Sequence, residues 1–248
     1  DEVTAEDLVE RLAGVDAAIL GEVHDNPVHH ARQAWLIERL SPAGVAFEMV
    51  PEASEKGIRV FRAQGGAAGD IGPAIGWSRL GWPEWDIYRP VFEAAGEAYI
   101  AGAGVPTPEV MRSMGEGAAA VWGPGADAVG LDEPLPKAEQ AAAEAEMVAA
   151  HCDMLPARAA PGMVEAQRLR DASFARATLR AAGEGDGLAV LVTGNGHART
   201  DRGVPVYLAR LRDGLTVRAL GQVEVREGAE TLAAYGELPY DLVWFSKG

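Results

Sequence analysis

The sequence predicts an α/β fold: a mainly parallel sheet flanked by helices, with a smaller inserted helical subdomain. Three observations predict it. Apolar runs at 17–20, 45–49 and 188–192 have the length and make-up of buried strands. A helix-length segment separates the first two, and a crossover of that size demands parallel pairing. Between 52 and 183 the pattern is almost wholly helical, which places flanking helices and the subdomain there.

Each element has a local reason. Thr4, with Asp7 three residues later, reads as the cap of a first helix carrying Leu8, Val9 and Leu12 and stopping at Gly14. Ala17-Ala18-Ile19-Leu20 is then a buried strand. Asn26 as N-cap with Pro27 at the first helical position opens a helix to about Leu40. Val45 to Met49 is a second strand. Tyr99-Ile100-Ala101 is the one strand candidate in the helix-rich stretch. Leu188 to Val192 returns to the buried-strand pattern, followed by a loop and a short helix from Pro205 to Leu211. Thr216 to Val225 alternates as an exposed or edge strand does, and Tyr240 to Phe245 is a final strand. No repeat or linker divides the chain, so residues 1–248 are read as one domain.

Composition excludes several classes. The chain has 22 Lys+Arg against 37 Asp+Glu, a formal charge of −15. Phosphate backbones are bound through clustered cations that release counterions, so no nucleic-acid partner is expected. No run approaches the length of a membrane-spanning helix. The single cysteine, Cys152, rules out an internal disulfide and reads as a buried structural thiol. Its neighbour His151 does not face it on a helix, so the two make no dyad. There is no Walker sequence, Gly-x-Ser-x-Gly elbow or His-Glu-x-x-His helix.

The chemistry concentrates where strands run out. Ligands of an open parallel sheet bind beyond the carboxyl ends of its strands. The first strand exits into Gly21-Glu22-Val23-His24-Asp25-Asn26, the second carries Glu48, and the late one exits into Gly194-Asn195-Gly196-His197-Ala198-Arg199. If the strands are parallel, two histidines and two carboxylates meet at one edge. In each Gly-x-x-His segment the glycine is expected to let the backbone turn sharply and deliver its histidine. Histidine ligates metals or cofactors through a neutral nitrogen, and a nearby carboxylate orients it or acts as a base. Of the adjacent His29 and His30, one is expected to face this crevice and the other to lie at the surface, since neighbours on a helix point about 100° apart. The segment Trp77 to Tyr88 holds three of the six tryptophans and is read mainly as core, with a pocket for a flat apolar ligand as the alternative.

These residues resemble the ChaN-like haem-binding uptake proteins, within a wider grouping that includes the Tiki proteases and erythromycin-esterase-like enzymes. The likeness rests on Gly21 to Pro27 with His29-His30, Phe47-Glu48-Met49, Gly81-Trp82-Pro83 through Tyr88, His151 to Pro156, Ala166-Gln167 with Arg170-Asp171, and Gly194 to Arg199. It implies a parallel α/β core with a helical subdomain, haem as ligand, a possible homodimer, and a role in iron and haem uptake in the bacterial cell envelope. His24, His197, Tyr88 and His30 are then the candidate haem-binding residues, Tyr88 being the tyrosine in a matching segment. The chain begins at Asp1 and has no cysteine there for a lipid anchor. A periplasmic or envelope-associated location is expected, with the cytoplasm as the alternative.

The wider grouping implies a rival reading as a metal-dependent or His/Glu general-base hydrolase. Glu48 or Glu22 would be the base and His24 and His197 would bind a divalent metal with those carboxylates or polarise a carbonyl. Arg199 would stabilise developing negative charge. Carboxylate crowding is expected to raise one pKa and poise that base. A third reading is a non-catalytic envelope scaffold in which the polar cluster is structural.

Overall fold

The computed structural model describes residues 2–150, 156–183, 187–229 and 231–247. His151 and Cys152 lie outside the described residues. The chain separates into two units, one formed by residues 1–104 and 174–248 and the other by 105–173.

The first unit is built on a six-stranded, wholly parallel sheet. Helix α1 (Ala5–Ala13) starts with the expected capping box between Thr4 and Asp7. Strand β1 (Ala17–Glu22) is buried at every position, as a strand covered on both faces must be. Helix α2 (Pro27–Leu40) is capped by the Asn26 side chain, which accepts from Val28 N and His29 N. Strand β2 (Gly44–Pro51) follows. Helices α3 (Glu55–Ala63), α4 (Ile71–Ile75) and α5 (Trp85–Ala95) lead to β3 (Tyr99–Gly104).

The second unit holds α6 (Thr107–Glu116), α7 (Ala118–Trp122), α8 (Lys137–Ala150) and most of α9 (Ala160–Ala182). Arg168, nearly buried, donates through Nη2 to the carbonyls of Gly130 and Glu133 at 2.9 and 2.7 Å, and through Nη1 to Glu165 at 3.0 Å. Glu165 also accepts from Ala118 N at 2.7 Å. These bonds satisfy backbone groups that a short-helix unit cannot pair internally.

Back in the first unit, β4 (Ala189–Gly194), α10 (Val204–Leu211), β5 (Val217–Val225) and β6 (Leu242–Lys247) complete the sheet. Its order is β3-β2-β4-β1-β5-β6. The 216–225 run was expected at an edge, but β5 lies between β1 and β6. Its first half pairs with β1 and its second half with β6, so its partly polar pattern reflects a strand that outruns β1.

The order positions the site. After β2 the chain moves toward one edge of the sheet, to β3, and after β4 toward the other, to β5. Connections diverging from neighbouring strands open a crevice between their carboxyl ends. Here those ends carry Glu48 on β2 and the Gly194–His197 loop after β4. Beneath them Phe47 stacks on Phe92 at 4.0 Å, and Trp77 packs on Tyr88 and on Trp85 at 5.0 Å each. No described helix is long and apolar enough to cross a membrane.

Candidate functional site

β1 delivers Glu22 at its last position, and its side chain is fully buried. A carboxylate there requires donors, and three groups surround it. Tyr88 of α5 donates its hydroxyl to Oε1 at 2.6 Å, and His24 Nδ1 lies 2.9 Å from the same oxygen. His30 Nδ1 faces Oε2 at 3.4 Å. The other ring nitrogen of His30, Nε2, meets the carbonyl of His24 at 2.9 Å and must carry a proton to donate to it. Burial works against charge at Glu22, but the hydrogen bonds and charges of His24 and His30 outweigh it and hold the carboxyl below its usual range. Burial likewise opposes protonation of His30, yet Glu22 raises its pKa above the ordinary histidine value.

Glu48 is held just as firmly. Its pairing with β3 is interrupted between Phe47 and Pro51, and its pairing with β4 ends at Phe47 and Val192. The freed carboxylate reaches across the crevice, where Oε2 accepts from Thr193 Oγ1 at 2.7 Å and from Gly194 N at 2.8 Å. Oε1 lies 3.5 Å from His197 Nε2, and His197 packs on Phe174 at 4.6 Å. Burial would raise the Glu48 carboxyl, but His197, His24 and the Gly194 amide drive it far below the usual carboxylate range. The expectation that crowding would raise one carboxylate is therefore corrected: each faces an imidazole, not the other acid.

His24 stands between the two acids. Burial lowers its affinity for a proton, but the hydrogen bond to Glu22 and the charges of Glu48 and Glu22 raise its pKa overall. Its side chain is 37% exposed, against 0% for His30 and 9% for His197. The ring edge lies against Trp82, centroids 5.0 Å apart at 64°. Beside it, Pro73, Trp77, Trp82, Pro83 and Trp85 line a groove of about 350 Å³. The Trp77 to Tyr88 segment thus serves as core through Trp77 and Tyr88, and as a pocket wall through the partly exposed Trp82 and Trp85.

The structure brings Glu22, His24, His30, Glu48, His197 and Tyr88 to one sheet edge. Arg199 grips Asp201 through Nε and Nη2 at 2.9 and 2.6 Å. Tyr88 is fully buried and its hydroxyl is spent on Glu22, so it faces the carboxylate and not solvent. His30 turns toward the crevice and His29 turns away, as the helical geometry requires, but neither is at the surface. His29 Nδ1 accepts from Val23 N at 2.9 Å, so its Nε2–H donates to Ser246 Oγ at 2.7 Å. Burial pushes its pKa down to about 4. Among the described residues no three His, Cys, Asp or Glu side chains are grouped to hold a metal ion.

The role expected of the two glycines is also corrected. Neither Gly21 nor Gly194 has a positive φ; Gly21 is the penultimate residue of β1 and Gly194 the last of β4. What they provide is room. A Cβ on Gly194 would stand 2.9 Å from His24 Nε2, and one on Gly21 would collide with Asn195 Oδ1. That amide matters: Asn195 Oδ1 accepts from Gln222 N at 3.0 Å while its Nδ2 donates to Gln222 O at 2.6 Å, tying the β4 loop to β5. Thr193, Phe174 and Gln222 do not stand out in the sequence, whereas Trp82 lies in the segment with the pocket alternative. Of those three, only Thr193 has even a weak signal, its place beside Gly194 at a strand exit.

Fold and site together define a parallel-sheet α/β protein with a histidine–carboxylate cluster at its topological switch point. The family model described as haem-binding uptake, Tiki superfamily, ChaN matches residues 8–208, and the chain belongs to that family. Among solved structures it is similar to ChaN of Campylobacter jejuni, which binds haem cofacially. The TM-score is 0.73 at 18% identity, over 98% of this chain and 92% of that one. The type III effector HopBA1 is similar at a TM-score of 0.53 and 13% identity, over 98% and 93% of the two chains. None of the curated protein sequences compared with it is a significant match.

Proposed function

We propose that this protein binds haem at the carboxyl edge of its sheet and serves iron and haem uptake in the bacterial cell envelope. The observation that carries the reading is the placement of His24. It is a partly exposed imidazole, held through Nδ1 by a buried carboxylate, with its ring against Trp82, which also lines the tryptophan groove. Flat apolar ligands favour such walls, and a carboxylate behind a histidine fixes the ring and strengthens it as a ligand. Membership of a haem-binding uptake family supports the same ligand. Haem, when bound, would supply an iron centre able to take a protein donor. His24 and the Trp82 wall would hold it, His30 and Tyr88 would fix Glu22 behind His24, and His197 would fix Glu48.

Titrating the purified chain with hemin tests this. A Soret shift saturating at a defined stoichiometry is expected, weakened at least tenfold in His24→Ala. An unchanged spectrum at saturating hemin overturns the reading. By the same reading two copies pair around the ligand, which sedimentation velocity would register as a doubling of mass on hemin addition. Fractionation of the native host, probed with an antibody, tests the envelope location.

One observation favours a second reading. An imidazole oriented by Glu22 and facing Glu48 is also the arrangement of a metal-free hydrolase, in which His24 would move the proton. Glu48, held so far below neutrality, is a poor base there. Turnover of an ester or peptide panel that vanishes in His24→Ala and His197→Ala would support this reading, and inactivity of the folded wild type would remove it.

A further inference from the structure

We infer that Arg79 and Glu84 form a charge pair of opposite effect on the tryptophan groove, which orients the carboxylate edge of the bound ligand toward Arg79. The inference rests on the haem reading and concerns how haem sits in the groove. Gly76, Ser78 and Glu84 complete the lining of the groove made by Trp77, Trp82 and Trp85. Gly76 closes helix α4 in the left-handed region, φ 74° and ψ 45°, a conformation that favours a residue without a Cβ. The missing Cβ has a second consequence. The guanidinium of Arg79 occupies the place where it would be, with Nη2 and Cζ closest. A permanent cation is thus seated on a residue of the groove wall.

Three further facts give that charge a ligand-facing role. Arg79 is exposed, and among the described residues it forms no ion pair, although the chain carries a net charge of −15 and cations are scarce. The neighbouring cation Arg89, by contrast, is spent on Asp86. Trp82, in the same groove, is the ring that touches His24, so one side chain borders both the groove and the site. Haem is flat and apolar except for two propionates on one edge. A face of tryptophan holds the macrocycle, a guanidinium donates a charge-assisted, two-point hydrogen bond to a carboxylate, and an exposed glutamate repels it. Arg79 and Glu84 therefore act as positioning residues for the ligand.

The test compares hemin with hemin dimethyl ester, whose propionates are neutral, on the full chain. Arg79→Gln is expected to weaken hemin binding about three- to tenfold and to leave the ester unaffected. Arg79→Lys, which keeps the charge but not the two-point bond, should restore part of the loss, and Glu84→Gln should tighten hemin but not the ester. Arg79 is exposed and its side chain rests only on the surface at Gly76, so its variants are expected to retain the fold, which circular dichroism verifies. If the wild type binds hemin and Arg79→Gln binds it equally well, or loses both ligands alike, the orientation inference falls while the haem reading stands. If the wild type binds neither ligand, the reading falls and takes the inference with it.

Discussion

At Glu22 a single buried carboxylate decides the state of its neighbours. Tyr88 donates one of its hydrogen bonds at 2.6 Å from a position with no exposure. A bond to a charged, buried acceptor contributes about 1.5–3 kcal/mol, so Tyr88→Phe should lower the unfolding free energy by about 2 kcal/mol in denaturant titration. The burial that gives this bond its strength holds the Tyr88 hydroxyl far above the ordinary tyrosine range, with the Glu22 charge adding to the effect. Gly194 makes the complementary point. Gly194→Ala places a methyl 2.9 Å from His24 Nε2, closer than any relaxed contact. The ring has to swing off Glu22, and hemin affinity should drop at least tenfold with the far-UV spectrum unchanged. A variant that keeps wild-type affinity would show that His24 does not need this position.

At the scale of elements, α2 links fold to site because its first turn carries both His29 and His30. Its N-cap, Asn26, satisfies the exposed amides of that turn and also donates from Nδ2 to Glu224 on β5 at 2.6 Å. Losing a cap costs about 1 kcal/mol, and the lost bond to a carboxylate adds to it. Asn26→Ala should therefore destabilise the chain by about 1–2 kcal/mol in thermal or denaturant unfolding, more than Asn26→Ser, which keeps a capping oxygen. The elements themselves were largely legible. The cap at Asn26, the apolar runs of β1, β2 and β4, and the long helical stretch have short-range causes that can be read from adjacent residues. β5 keeps the partly exposed ends that its alternation predicts but is not an edge strand, because alternation reports which faces are wet, whereas β6 supplies the partner.

For the whole molecule, titration couples the site to stability. His29 keeps a pKa of about 4 when folded against 6.5 ordinarily, so the unfolded chain takes up its proton first as the solution is acidified. Stability attributable to this residue is full above pH 6.5 and is lost as pH falls from 6.5 to 4, by about 1–3 kcal/mol. Glu22 and Glu48, held low, contribute stability that disappears only at still lower pH. His24 and His30, held high, contribute stability that is present below the ordinary histidine value and is lost as pH rises through their raised values. Denaturation midpoints measured from pH 4 to 9 should peak near neutrality, and His29→Gln should flatten the acid limb relative to the wild type. An acid limb unaltered in that variant would exclude His29 as its source.

The sequence by itself determined the parallel α/β class, the strand exits and the identity of the two histidines and two acids that meet there. Those properties follow from periodicity, caps and the rule that ligands gather at strand carboxyl ends, all of which act over a few residues. Only the tertiary structure decided who partners whom. Tyr88 turned inward to Glu22, His29 to Ser246, Thr193 to Glu48, and the glycines proved to be clearances for side chains instead of turns. Such pairings join positions as much as 217 residues apart, as for His29 and Ser246. They are set by burial, which penalises an unpaired polar atom and favours whichever donor or acceptor the packed sheet brings within reach.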